Sequence, residues 1–128
     1  MIMDHKLKLM VVDDSPLFRT WLIRSLSEDD RFQVVGYAVN ALDAQEKIPL
    51  LQPDMLTLDI EMPGMSGIDF LKQLLPVHPI PVILVSSLNL RVFDALEAGA
   101  VDFVRKPDEA NGLSKEIFLS MLRSKLMV

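Results

Sequence analysis

The chain has 128 residues, a net charge of -5 and a composition that is half hydrophobic, enough for one domain with a buried core. It contains no cysteine, which excludes disulfides, thiolate metal sites and thiol nucleophiles; with no charged-then-apolar leader, this predicts a cytoplasmic protein. The acidic balance argues against a nucleic-acid-binding surface, and the apolar runs are too short for membrane insertion.

Strand and helix patterns alternate from the start of the chain. Leu7 to Val12 is typical of a buried strand, and Ser15 then provides an N-cap with proline at the first helical position. The helix that follows is predicted over Pro16 to about Ser27. Its apolar stripe comprises Phe18, Trp21, Leu22 and Leu26.

The alternation continues to the end of the chain. The next elements are predicted as a strand at Phe32 to Ala38, a helix at Ala41 to Leu51 despite Pro49, and a strand at Met55 to Leu58. After a turn at Pro63 to Gly67, the third helix carries Ile68, Leu71, Leu74 and Leu75 on its apolar face. A strand is then predicted at Val82 to Val85, followed by a helix at Leu90 to Ala98 that Gly99 stops. The last strand is predicted at Val101 to Val104. Ser114 caps the last helix, whose apolar side carries Ile117, Met121 and Leu122.

Strands separated by helices of roughly 10 to 15 residues predict right-handed βαβ units, and therefore an α/β fold with a parallel sheet covered on both faces. The near-continuous apolar strands agree with burial on both faces. In such folds ligands bind beyond the carboxyl ends of the strands. The residues that follow the strands are therefore the candidates for a functional site.

Polar residues suited to phosphate chemistry stand at these strand ends. Asp13 and Asp14 follow the first strand, Asp59 the third, Ser86 the fourth, and Lys106 comes shortly after the fifth. Single acidic residues at such positions are usually solvated turn formers, but matching residue types at four strand ends are harder to explain by chance. We expect them to meet at one edge of the sheet.

Three carboxylates brought together repel one another, and a divalent cation removes that conflict. Mg²⁺, or Mn²⁺ in its place, suits a site of carboxylate oxygens and water. Lys106 would balance the remaining charge, and Ser86 could donate a hydrogen bond to a phosphoryl oxygen. One carboxylate is then free to attack phosphorus, and Asp59, alone at its strand end, is assigned as the nucleophile.

Four segments carry a resemblance to the receiver domains of two-component signalling. They are Val11 to Ser15, Asp59 to Gly67, Ser86, and Phe103 to Pro107. Within that family the chain is most similar to the regulatory domain of chemotaxis protein-glutamate methylesterases. The finer match lies in Leu58 to Pro63, Val85 to Leu88, and Gly99 to Val104. The resemblance implies one receiver domain over residues 1–128, with a flavodoxin-like (βα)5 fold of strand order 2-1-3-4-5.

The resemblance also implies a role for each site residue. Asp59 would accept a phosphoryl group from a histidine kinase, and Lys106 would pair with that group. Mg²⁺ would be held by Asp14, Asp59 and the backbone carbonyl of Glu61, with Asp13 acting largely through water. Ser86 would be the switch hydroxyl. Phe103 would be the switch aromatic, although core packing explains it equally well.

The resemblance implies that the receiver regulates a methylesterase domain that lies beyond this chain and acts on chemoreceptors. The alternative is a stand-alone receiver that acts by binding other proteins. A magnesium-dependent phosphatase of the haloacid dehalogenase type is an alternative, but it expects a second Asp two residues after the nucleophile on its first strand, where Ser15 and Pro16 follow the acidic pair here. A third alternative is a receiver-like scaffold that is never phosphorylated; the complete acidic set argues against it.

The sequence departs from the receiver pattern in three ways. Position 66 is Ser where many relatives carry Asp, which should affect the turn more than the chemistry. Glu61 and Leu88 occupy positions that tune the lifetime of the phosphoryl group in receivers. The stretch from Ser86 to Gly99 is about one helical turn shorter than in methylesterase receivers, a difference that falls on the fourth helix.

Overall fold

Ten elements alternate between strand and helix in the computed structural model, which describes residues 6–62, 64–87, 91–108, 110 and 112–127. The strands are β1 (Leu7–Val12), β2 (Phe32–Ala38), β3 (Met55–Leu58), β4 (Val82–Ser86) and β5 (Asp102–Arg105). The helices are α1 (Pro16–Ser27), α2 (Ala41–Leu51), α3 (Gly67–Leu74), α4 (Arg91–Glu97) and α5 (Lys115–Leu126). The sheet has the order β2-β1-β3-β4-β5, and every strand pair is parallel, which confirms the expected flavodoxin-like fold.

The helices cover both faces of the sheet and divide the core in two. One core layer contains Met10, Leu56 and Leu84 from the strands and packs against α2, α3 and α4. The other contains Leu9 and Val11 and packs against α1 and α5. Because neighbouring residues in a strand point to opposite faces, each apolar strand contributes to both layers. This burial explains why the strands lack an alternating polar pattern.

The helix starts follow the predicted caps. Ser15 accepts a hydrogen bond from the backbone N–H of Phe18 at 3.4 Å, and Ser114 accepts one from Ile117 at 3.1 Å. Ser66, at the position where receivers often carry Asp, caps α3 by accepting from the N–H of Asp69 at 3.2 Å. These side chains satisfy backbone donors that have no partner within the helix.

Two of the sequence predictions need correction. On α5 the structure buries Phe118, Leu122 and Leu126, whereas Ile117 and Met121, predicted on the apolar side, are each more than 40% exposed. The buried residues are spaced four apart and so lie on one face of the helix.

The fifth strand lies one residue later than predicted. It runs from Asp102 to Arg105, and Val101 is exposed beside it. The reason is the pairing register, in which Asp102 lies opposite Ile83 and Arg105 opposite Ser86.

The segment before α4 is described only in part. The helix begins at Arg91 and ends at Glu97, and Gly99 follows with φ +118°, a left-handed conformation that favours glycine at a helix stop. Leu90, the predicted first residue of this helix, lies outside the described residues, as do Leu88 and Pro63. No helix in the described part of the chain is both long and apolar enough to cross a membrane.

Candidate phosphoryl and metal site

Backbone hydrogen bonds extend the sheet ladder past the strand ends and place the site residues. The N–H of Asp13 donates to Ala38 at 3.1 Å, and that of Asp59 donates to Val12 at 3.0 Å. The N–H of Lys106 donates to the carbonyl of Ser86 at 3.0 Å. The residues that follow β1, β3 and β5 are therefore held at one edge, as the sequence predicts.

The acidic residues converge as expected. Asp13, Asp14 and Asp59 each offer a carboxylate oxygen, and these oxygens all lie within 4.8 Å of one another. Asp13 and Asp59 are 2% and 5% exposed, whereas Asp14 is exposed to solvent. Hard oxygen donors with excess negative charge are the chemistry that Mg²⁺ or Mn²⁺ requires, so the donor set fits such an ion.

Lys106 joins two of these carboxylates. Its Nζ lies 3.1 Å from Asp13 Oδ2 and 3.2 Å from Asp59 Oδ2. Asp13 Oδ1 also accepts the backbone N–H of Ser15 at 2.8 Å, so both of its oxygens are already bonded. The ammonium therefore bridges the end of β1 to the end of β3.

The loop after β3 turns back over the nucleophile candidate. The N–H of Glu61 donates to Asp59 Oδ1 at 2.9 Å. Gly67 allows this loop to close, because a Cβ at that position would lie 2.6 Å from the Cα of Ile60. The loop thus brings the backbone N–H of Glu61 to the carboxylate, and metal binding by the Glu61 carbonyl stays a prediction.

Burial and charge act against each other in the site. Burial raises the pKa of Asp59, although the N–H of Glu61 and the charge of Lys106 oppose the change. Burial alone would lower the pKa of Lys106, but the carboxylates of Asp13 and Asp59 raise it. Lys106 is therefore a fixed cation at neutral pH, beside a carboxylate that is costly to ionise.

The two predicted switch residues occupy different surroundings. Ser86 is fully buried, and its hydroxyl donates to the carbonyl of Ser87 at 3.1 Å, so it is at the site edge but engaged locally. Phe103 is half-buried and packs against the core layer under α3 and α4. Its carbonyl accepts from Lys125 Nζ at 3.0 Å. Movement of either residue stays a prediction.

The sequence patterns missed two neighbours of the site. Phe18, assigned only to the apolar stripe of α1, has its ring centroid 4.6 Å from Lys106 Nζ. Arg19 donates to the backbone carbonyl of Asp13 at 2.8 Å. The available signal was position, since both residues lie in the first helical turns after the acidic pair.

Comparison with known proteins agrees with this geometry. The family model of the response regulator receiver domain matches residues 9–118. The chain therefore belongs to the response regulator receiver family. The fold, the strand order and the acidic edge are those expected of this class.

The match is finer among individual proteins. The chain is 47% identical over 124 residues to protein-glutamate methylesterase/protein-glutamine glutaminase 2 of Syntrophomonas wolfei, an alignment that covers 97% of this chain and 36% of that protein. A protein of the same enzyme name from Syntrophotalea carbinolica is 48% identical, with 97% and 36% covered. The response regulator domain of Thermotoga maritima CheB superposes with a TM-score of 0.81 at 37% identity, covering 96% of this chain and 92% of that one. The chain is thus a receiver domain homologous to the CheB receiver, and it spans about a third of the length of its curated relatives.

Proposed function

We propose that this chain is a phosphoacceptor in which Asp59 takes a phosphoryl group from a phosphohistidine of a histidine kinase. The observation that carries the proposal is the contact of Lys106 Nζ with both Asp13 and Asp59 at the edge where ligands bind in this fold. A partly buried lysine between two carboxylates places a positive charge where the phosphoryl oxygens would arrive. The absence of cysteine supports a cytoplasmic setting for this transfer.

The transfer needs only in-line attack and charge stabilisation. A carboxylate oxygen of Asp59 forms the new O–P bond while the P–N bond to the donor histidine breaks. The electron pair of that bond stays on the imidazole nitrogen, which takes a proton from solvent. Glu61, through its N–H, and Lys106 favour the ionised form of Asp59 against the effect of burial. Lys106 then pairs with the new phosphoryl group.

The acidic cluster supports a metal-assisted reaction. Asp14, Asp59 and the carbonyl of Glu61 would hold Mg²⁺ or Mn²⁺ directly. Asp13, whose oxygens contact the Ser15 N–H and Lys106, would act through water. When bound, the cation neutralises charge on the transferring phosphoryl oxygens.

After phosphorylation, Ser86 and Phe103 respond to the new phosphoryl group. Ser86 exchanges its hydrogen bond to Ser87 for one to a phosphoryl oxygen. Phe103 repacks beneath α4, so that a charge change at the site alters the surface formed by β5 and α4. We propose that the output is the regulation of a protein-glutamate methylesterase that acts on chemoreceptors, because the similar proteins are protein-glutamate methylesterases.

Phosphorylation by acetyl phosphate in Mg²⁺, followed by intact-mass spectrometry, tests the acceptor role. We expect one phosphoryl group per wild-type chain and none on Asp59→Asn. The matched control is Asp30→Asn, an exposed carboxylate in the loop before β2, at the opposite end of the strands. Equal labelling of wild type and Asp59→Asn would contradict the proposal, and sustained turnover of a phosphate ester would favour the phosphatase alternative.

The output is tested in the native gene. If the reading frame continues past Val128 into a hydrolase domain, we expect acetyl phosphate to raise receptor demethylation by that protein, and Asp59→Asn to remove the increase. A stop codon at that point, or demethylation that is indifferent to Asp59, would favour a stand-alone receiver that acts by binding other proteins.

A further inference from the structure

The ammonium of Lys106 is enclosed on three sides. Two sides are the carboxylates of Asp13 and Asp59, at 3.1 and 3.2 Å. The third is the face of the Phe18 ring, whose centroid lies 4.6 Å from Nζ. The lysine side chain is consequently only 20% exposed.

The Phe18 ring is held in place by other aromatic rings. It packs edge-on against Phe118, with centroids 5.8 Å apart and planes at 62°, and Phe118 is fully buried under the sheet. Trp21, one turn further along α1, lies 5.7 Å from the Phe18 ring. The start of the helix is in turn fixed by the hydrogen bond from the N–H of Phe18 to Ser15. The ring therefore cannot move away from Lys106 without disturbing the packing between α1 and α5.

An aromatic face interacts with an ammonium differently from water or an aliphatic side chain. Its quadrupole attracts the cation, yet it offers no strong acceptor that competes with a carboxylate. Lys106 has three N–H donors to distribute. With the ring covering one side, those donors are directed toward Asp13, Asp59 and the open edge of the site. A smaller aliphatic side chain would let water in and allow Nζ to drift from the two oxygens.

We propose that Phe18 is a positioning residue for the transfer to Asp59, because its ring face holds the Lys106 ammonium between Asp13 and Asp59. This inference rests on the proposed acceptor role of Asp59 and adds to it a residue that the receiver resemblance does not assign. Phe18 touches neither the phosphoryl group nor Asp59 in this scheme. It acts through Lys106 alone.

The test replaces Phe18 with 4-fluoro-, 3,5-difluoro- and 3,4,5-trifluorophenylalanine in the full chain. Each fluorine weakens the ring quadrupole while ring shape and packing change little. We expect the rate constant of labelling by acetyl phosphate to fall progressively, by about fivefold across the series. The same series at Phe93, an exposed aromatic on α4, is the control and should leave the rate unchanged.

Two further measurements separate positioning from packing. The Hε protons of Lys106 should show an upfield NMR ring-current shift in the wild type, which Phe18→Tyr keeps and Phe18→Leu loses. Phe18→Tyr should also restore most of the labelling rate that Phe18→Leu loses. A rate that is flat across the fluorinated series, with the wild type labelled normally, would overturn the positioning role. Failure of the wild type to become labelled would instead overturn the acceptor role itself.

Discussion

At the scale of single residues, burial differentiates side chains that are equivalent in the sequence. Asp13 and Asp14 are adjacent carboxylates after the same strand, and the sequence predicts both at the site. Only the structure shows that Asp13 is buried against Lys106 while Asp14 faces solvent. The pleat directs consecutive side chains to opposite sides, but which side is buried depends on α1 and α5. This difference agrees with direct metal binding by Asp14 and with the contact between Asp13 and Lys106.

Thr57 provides a test of residue-scale burial. It is 1% exposed in β3, and among the described residues its Oγ1 has no hydrogen-bond partner. Because an unpaired buried hydroxyl is destabilising and Val has nearly the same shape, we expect Thr57→Val to raise the free energy of unfolding by about 1 kcal/mol. Urea denaturation measures the change, with the exposed Thr20→Val as control. A loss of stability in Thr57→Val would show that the hydroxyl has a partner.

At the scale of elements, α5 shows how far helical periodicity can be trusted. Its sequence contains two overlapping apolar series, one through Ile117 and Met121 and one through Phe118, Leu122 and Leu126. Both have helical spacing, so the pattern alone does not choose between them. The structure buries the second series, where Phe118 meets the rings of α1. Contact with another element decided which face is buried.

The loop between α1 and β2 is tied to α5 through Asp29. This carboxylate accepts a hydrogen bond from Arg31 at 2.7 Å and lies 3.7 Å from Nε of Arg123 on α5. The hydrogen bond from Arg31, against a smaller effect of burial, lowers the pKa of Asp29 from 3.8 to about 2. The folded state therefore binds fewer protons than the unfolded state between these two values. The resulting stability is complete above the ordinary Asp pKa and is lost as the pH falls through about 2.

We therefore expect Asp29→Asn to lower the free energy of unfolding at pH 7 by about 0.5 to 1 kcal/mol, the size of a partly exposed ion pair. The deficit should shrink as the pH approaches 2, where wild-type Asp29 is itself half protonated. Denaturant titrations at pH 7 and at low pH measure the difference in free energy of unfolding between wild type and Asp29→Asn, with Asp30→Asn as the neighbouring control. A deficit that is independent of pH would indicate a packing effect instead.

At the scale of the whole molecule, the sheet collects charges from distant parts of the chain. Asp59 and Lys106 are 47 positions apart in the sequence, yet their side chains are in contact because β3 and β5 end at the same edge. Without a metal ion, burial and the nearby carboxylate of Asp13 make Asp59 costly to ionise, and the Glu61 N–H and Lys106 offset only part of this cost. A bound divalent cation would offset more of this cost.

It follows that Mg²⁺ should stabilise the whole domain. Binding to the folded state alone raises both the free energy of unfolding and the unfolding temperature by mass action. We expect the free energy of unfolding to rise by about 2.7 kcal/mol when the free ion reaches a hundred times its dissociation constant. Thermal denaturation at increasing Mg²⁺, followed by EDTA, measures the gain and its reversal. Asp14→Asn should remove the gain, and Asp69→Asn, an exposed change on α3, should keep it. An equal gain in both variants would place the ion elsewhere.

The sequence by itself determined the alternating elements, the parallel sheet and the identity of the acidic, hydroxyl and lysine residues at its edge. It could do so because strand burial, helix caps and strand ends are local patterns with known geometry. Tertiary structure alone decided which face of α5 is buried, the register of β5, and the enclosure of Lys106 by Phe18. Those features depend on contacts between elements far apart in the chain, where several local patterns are equally compatible and packing selects one.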